Sequence, residues 1–104
     1  MKLIRDKIHG LLAEEHARWG LAGATFHQAG PTERLLLLRL KLAEEAGEVL
    51  SAPNDEQFLR ELADLLDVVD ALREAQGWSA EHLESFRQAK RAWLGGFEEG
   101  WVLE

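Results

Sequence analysis

The sequence predicts an all-α protein, a four-helix bundle formed by one domain spanning residues 1–104. Two observations predict it. Only two prolines, Pro31 and Pro53, interrupt the chain, and with Gly77 and the Gly95-Gly96 pair they divide it into four stretches. Within each stretch apolar residues return at intervals of three and four, the spacing of one helix face.

The first stretch carries Ile4, Ile8, Leu11, Leu12 and Trp19 at helical spacing, with Gly10 as a weak point and Gly20 as its stop. The second is expected to begin after Pro31, with Thr32 as its cap and Glu33 near its positive end, and to run to about Ser51. The third opens on Asn54-Asp55-Glu56-Gln57, where Asn54 can accept from a backbone N–H and Gln57 can reach back to complete a capping box. It should extend to about Gln76 and end at Gly77. The fourth takes Ser79 as cap, aligns Leu83, Phe86, Ala89 or Lys90, and Trp93, and stops at Gly95-Gly96. Two stretches outside the helices, LAGATFHQAG (21–30) and FEEGWVLE (97–104), contain enough β-formers for short strands that could pair.

The second helix is too apolar for one chain to cover. Leu35, Leu36, Leu38, Leu40, Leu42, Ala43, Ala46, Val49 and Leu50 occupy more than half its circumference. A surface of that kind predicts self-association, as a homodimer or a dimer of dimers.

Charge narrows the partners. Twelve Lys and Arg stand against 19 Asp and Glu, a formal charge of −7, which argues against nucleic-acid polymers and anionic membrane surfaces. The absence of cysteine excludes disulfides, thiolate metal sites and cysteine nucleophiles. The longest apolar run, Leu35 to Leu38, is too short to cross a bilayer, and Asp6 interrupts any leader-like stretch. A soluble, cytoplasmic protein is the expectation.

The acids are not scattered evenly. KLAEEAGEVL (41–50) places Glu44, Glu45 and Glu48 within an arc of about 100°, with Lys41 among them, on the stripe that the leucines leave free. In ELADLLDVVD (61–70), Glu61, Asp64 and Asp67 are spaced by three, and Glu61 falls at the edge of the apolar stripe. Antiparallel helices joined by the short SAPND turn would bring both acidic faces to one groove. An acidic helix stripe is most often a solvated face. Carboxylates converging from two helices beside a core instead suit a hard divalent cation, and Mg²⁺ in such a site typically keeps waters and shares its shell with phosphates.

EEAGE, twelve residues, then ELADLLDVV resembles the EExxE…ExxD signature of the MazG-like all-α nucleoside triphosphate pyrophosphatases, a group that includes phosphoribosyl-ATP pyrophosphohydrolase and the dimeric dUTPases. The start KLIRDKI and the end KRAWLGGFEEGWVLE resemble the two ends of a short MazG-like subgroup described as house-cleaning enzymes. The sequence departs from that subgroup at His9, where proline is common, and at Leu94, where a charged residue is more familiar.

The resemblance implies a MazG-like fold and hydrolysis between the α and β phosphates of a nucleotide, with Mg²⁺, or Mn²⁺ in its place. It implies Glu45, Glu48, Glu61 and Asp64 as metal ligands. Glu44 would be a further ligand or would orient the attacking water, and Asp67 would support the ligands. Lys41, Arg5, Lys7, Lys90 and Arg91 are candidates to meet the substrate's phosphates, and Phe97 is the first candidate to stack on its base. Trp19, Trp78, Trp93 and Trp101 are expected to close the core rather than bind a base. His9, His16, His27 and His82 share no metal-site spacing, and the lack of any Glu-x-x-His pair argues against a di-iron bundle.

Two other readings stand beside this one. The chain could be a phosphoribosyl-ATP pyrophosphohydrolase of histidine synthesis, although its ends look like the other subgroup. It could instead be a non-catalytic helical interaction module, which would have little reason to keep all four acids.

Overall fold

The structure, a computed structural model, describes all residues 1–104 and is all-helical. Its helices are α1 (Ala13–Arg18), α2 (Pro31–Ser51), α3 (Asp55–Ala75) and α4 (Ala80–Leu94). No helix is long and apolar enough to cross a membrane.

The two long helices form the frame. Each has 21 residues, about 31 Å of helix at 1.5 Å per residue. Residues 52–54 link them, so they pack side by side and antiparallel. Leu37 and Leu38 from α2 and Val68 from α3 are the buried apolar residues of these two packed helices. Asn54 caps α3 by accepting from the Gln57 backbone N–H at 2.8 Å, and Ser79 caps α4 by accepting from His82 at 3.0 Å. Gly77 and Gly95 follow α3 and α4 with φ of 79° and 81°, a left-handed region that glycine enters without strain.

Several local expectations are corrected. The first stretch is helical only over α1, because residues 6–10 form turns with Ile8 bonded to Arg5 and Leu11 to Ile8. These tighter turns bring the chain past Gly10 while residues 1–5 lie outside any helix. Thr32 does not cap α2: proline's fixed φ suits the first helical position, so the helix starts at Pro31 with Gly30 before it. Gln57 does not reach back to the Asn54 backbone; its amide donates forward to Glu61. Neither LAGATFHQAG nor FEEGWVLE contains a strand, since a lone two-stranded pair with no layer packed on it has little stability.

One chain does not close around its own apolar surface. Helix α4 touches only α3, and lightly, while α1 packs against no other helix. The radius of gyration is 17.3 Å, against about 13 Å for a compact chain of roughly this length. The tryptophans therefore do not close a core: Trp19, Trp78, Trp93 and Trp101 are all exposed. Phe86 and Trp93, on the apolar side of α4, face outward with them.

Candidate metal centre

Glu45 and Glu61 are among the few buried residues of the molecule, 5% and 7% exposed, and they approach each other across the α2–α3 interface. Carboxylates are rarely this buried without a partner. The same antiparallel packing of α2 on α3 places Asp64, one turn beyond Glu61, beside them. One oxygen from each of Glu45, Glu61 and Asp64 can be chosen so that all three lie within 4.8 Å of one another.

The two buried acids are held alike. Lys41, four residues before Glu45, lies 3.5 Å from its Oε1. Gln57, four residues before Glu61, donates its amide N–H to that residue's Oε1. In both cases the second oxygen, Oε2, is buried and has no hydrogen-bond partner. An unpaired buried carboxylate oxygen is costly. Two glutamates with such oxygens, clustered with a third carboxylate, form an all-oxygen donor set of the kind that hard divalent cations take, so the residues present fit such an ion.

Glu48, one turn after Glu44 and Glu45, is solvent-exposed but joins the same electrostatic unit. Its carboxyl is pushed up to about 7, first by the close approach of the Glu61 carboxylate, then by desolvation and by the negative charge of Glu45 and Glu61. Glu44 behaves oppositely. Its hydrogen bond to Lys2 and the nearby charge of Lys41 hold it below the ordinary carboxylate range.

The N-terminal segment straps this groove. Lys2 reaches α2, with its Nζ 2.9 Å from Glu44, and Arg5 reaches α3, donating to Asp64 at 2.6 Å and to Asp67 at 2.9 Å. Three residues of extended chain span about 10 Å, and packed helix axes lie about 8–10 Å apart, so the Lys2-to-Arg5 spacing suits one contact on each helix. His16, whose Nε2 lies 2.8 Å from the Ile8 carbonyl, fastens the far end of the segment. Between the strap and α2 is a cavity of about 100 Å³, where Leu3, Leu37 and Leu40 meet Lys2, Lys41 and Glu44.

The structure thus brings Glu44, Glu45, Glu48, Glu61, Asp64, Lys41 and Arg5 to one groove. Lys7 is exposed and makes no ion pair. Lys90, Arg91 and Phe97 are not brought there: Arg91 pairs with Glu98, Lys90 is exposed, and Phe97 is 98% exposed beyond the end of α4. Lys2 and Gln57 are the site residues that sequence reasoning missed. The available signal for Gln57 was its position four residues before Glu61, which mirrors Lys41 before Glu45. Comparison of the chain with models of protein families, with curated proteins and with solved structures finds no match.

Proposed function

We propose that the chain is a Mg²⁺-dependent nucleotide pyrophosphohydrolase, cytoplasmic and MazG-like, that hydrolyses the α–β phosphoanhydride of ordinary or damaged nucleoside triphosphates to monophosphate and pyrophosphate. The observation that carries this reading is the cluster of Glu45, Glu61 and Asp64, in which both glutamates keep a buried, unpartnered Oε2. The substrate class rests on the resemblance of EEAGE…ELADLLDVV and of the two chain ends.

Glu45, Glu61 and Asp64 would hold the cation, with Glu48 as a fourth ligand once it has lost its proton. The bound ion would neutralise phosphate oxygens and position water, the main catalytic demands of phosphoryl chemistry. Gln57 and Lys41 fix the rotamers of the two buried acids, as outer groups do for metal ligands. Glu44 suits orienting the attacking water better than deprotonating it, because its two lysine neighbours make it a weak base. Lys2, Lys41 and Arg5 supply positive charge for the triphosphate, and the cavity of mixed lining beside Lys2 and Lys41 offers space for part of the nucleoside.

A second chain would complete the protein. The exposed leucines of α2 and α3, together with the outward apolar side of α4, support a homodimer or a dimer of dimers. In that assembly Lys90, Arg91 and Phe97 could serve a neighbouring groove.

The test is pyrophosphate release from ribo-, deoxy- and oxidised nucleoside triphosphates and from phosphoribosyl-ATP, with Mg²⁺, Mn²⁺ or EDTA. Metal-dependent release, lost in Glu48→Gln and Asp64→Asn with helix content unchanged, supports the reading. Release from phosphoribosyl-ATP alone moves the protein to histidine synthesis. No release and no metal uptake by the folded protein would leave the helical interaction module, which the exposed apolar surface also fits.

A further inference from the structure

Arg5 pairs with two carboxylates of α3, and one of them is a proposed metal ligand. Its Nη2 lies 2.6 Å from Asp64 Oδ1 and its Nη1 lies 2.9 Å from Asp67 Oδ2. Asp64 belongs to the three-carboxylate cluster; Asp67 does not. The guanidinium therefore neutralises the least buried carboxylate of the cluster.

We infer that Arg5 is a built-in counter-ion, displaced from Asp64 when the divalent cation binds and thereby freed to meet the phosphate of the incoming substrate. The inference rests on the metal-centre reading above and assigns that site its order of assembly: cation first, anion second. Three features of the strap suit the exchange. Arg5 is 61% exposed, so its movement disturbs no core packing. Asp67 can retain one arm of the guanidinium while the other swings. Lys2 remains anchored to Glu44 on the opposite helix, which limits how far the segment can travel. Planar guanidinium geometry matches phosphate as well as it matches carboxylate, so the released group is already shaped for its second partner.

Occupation of Asp64 by Arg5 lowers the fraction of molecules ready to take up metal, and apparent affinity falls by that fraction. Titration of the full chain with Mn²⁺ alone, without nucleotide, reads this directly. Arg5→Ala is expected to bind Mn²⁺ about threefold to tenfold more tightly than wild type. Lys7→Ala removes an equal charge from the same segment but breaks no ion pair, and is expected to change Mn²⁺ affinity by less than about twofold. With Mn²⁺ bound, pyrophosphate should bind Arg5→Ala about tenfold more weakly than wild type, and Arg5→Lys should recover only part of that loss. Equal Mn²⁺ affinity in Arg5→Ala and Lys7→Ala would overturn the counter-ion role, and undiminished pyrophosphate binding would overturn the second role. Wild-type Mn²⁺ affinity in both Glu61→Gln and Asp64→Asn would instead show that the metal-centre reading itself had failed.

Discussion

Gln57 stands one helical turn before Glu61 and donates its side-chain amide to that residue's Oε1, which leaves Oε2 buried and unpaired within the cluster that Glu61 forms with Glu45 and Asp64. The contact decides which way the carboxylate turns. Without it, a rotation about the Glu61 side chain could satisfy one oxygen in water and dissolve the cluster.

Gln57→Leu should therefore weaken Mg²⁺ or Mn²⁺ binding by about 10- to 100-fold, the usual effect of removing a group that orients a metal ligand. Far-UV circular dichroism should be unchanged, because Asn54 still caps α3. A variant that binds metal like wild type would show that Glu61 is positioned by packing alone.

Crowding three carboxylates should destabilise the metal-free protein. Glu61→Gln removes one negative charge but keeps an oxygen that can accept from the Gln57 amide. The expected gain is about 1 kcal/mol, or a rise in melting midpoint of about 4–8 °C for a domain near this size. Saturating metal should invert the order, since ligand at one hundred times its dissociation constant adds about 2.7 kcal/mol to the protein that binds it. Scanning calorimetry of both proteins with EDTA and with Mg²⁺ tests the crossing.

Glu48 gives the pH dependence a definite sign. Its carboxyl is raised from 4.5 to about 7 in the folded protein, so between those values the folded state holds a proton that the unfolded state has lost. Stability of the metal-free protein should fall as pH rises through this window and level off above about 7. Metal affinity should move the other way, rising with pH until Glu48 has lost its proton. Glu48→Gln should flatten the pH dependence of stability; a melting profile identical to wild type from pH 4.5 to 7 would place the proton elsewhere.

The parts legible in the sequence are those fixed by local chemistry. Gly77 and Gly95 end helices because they accept positive φ, and Asn54 and Ser79 start them because their side chains accept backbone N–H bonds. The convergence of Glu45, Glu61 and Asp64 was legible too, since a short link makes two long helices antiparallel neighbours and periodicity selects their facing residues. The strap was not. Lys2 and Arg5 act from a segment without helical structure, where no periodicity states which way a side chain points. The tryptophans misled for a related reason: Trp93 lies on the apolar side of α4, but that side finds no neighbour in the same chain.

That uncovered surface leads to the last prediction. Leu59 and Leu66, seven residues apart on one face of α3, are 69% and 64% exposed, and Leu36 and Leu40 are similarly open on α2. Leucines at this spacing on a long helix form a seam that another helix can fill. Sedimentation equilibrium should therefore find two or four chains per particle, and the melting midpoint should rise with protein concentration because dissociation accompanies unfolding. Replacing both Leu59 and Leu66 by lysine puts two charges into the seam and should shift the particle toward single chains. The three-carboxylate cluster lies within one chain, so the variant should keep its Mn²⁺ site if the hairpin stays folded. Wild-type protein that remains monomeric at every concentration, with a midpoint that does not move, would mean that the apolar faces of α2 and α3 serve a partner other than a second copy.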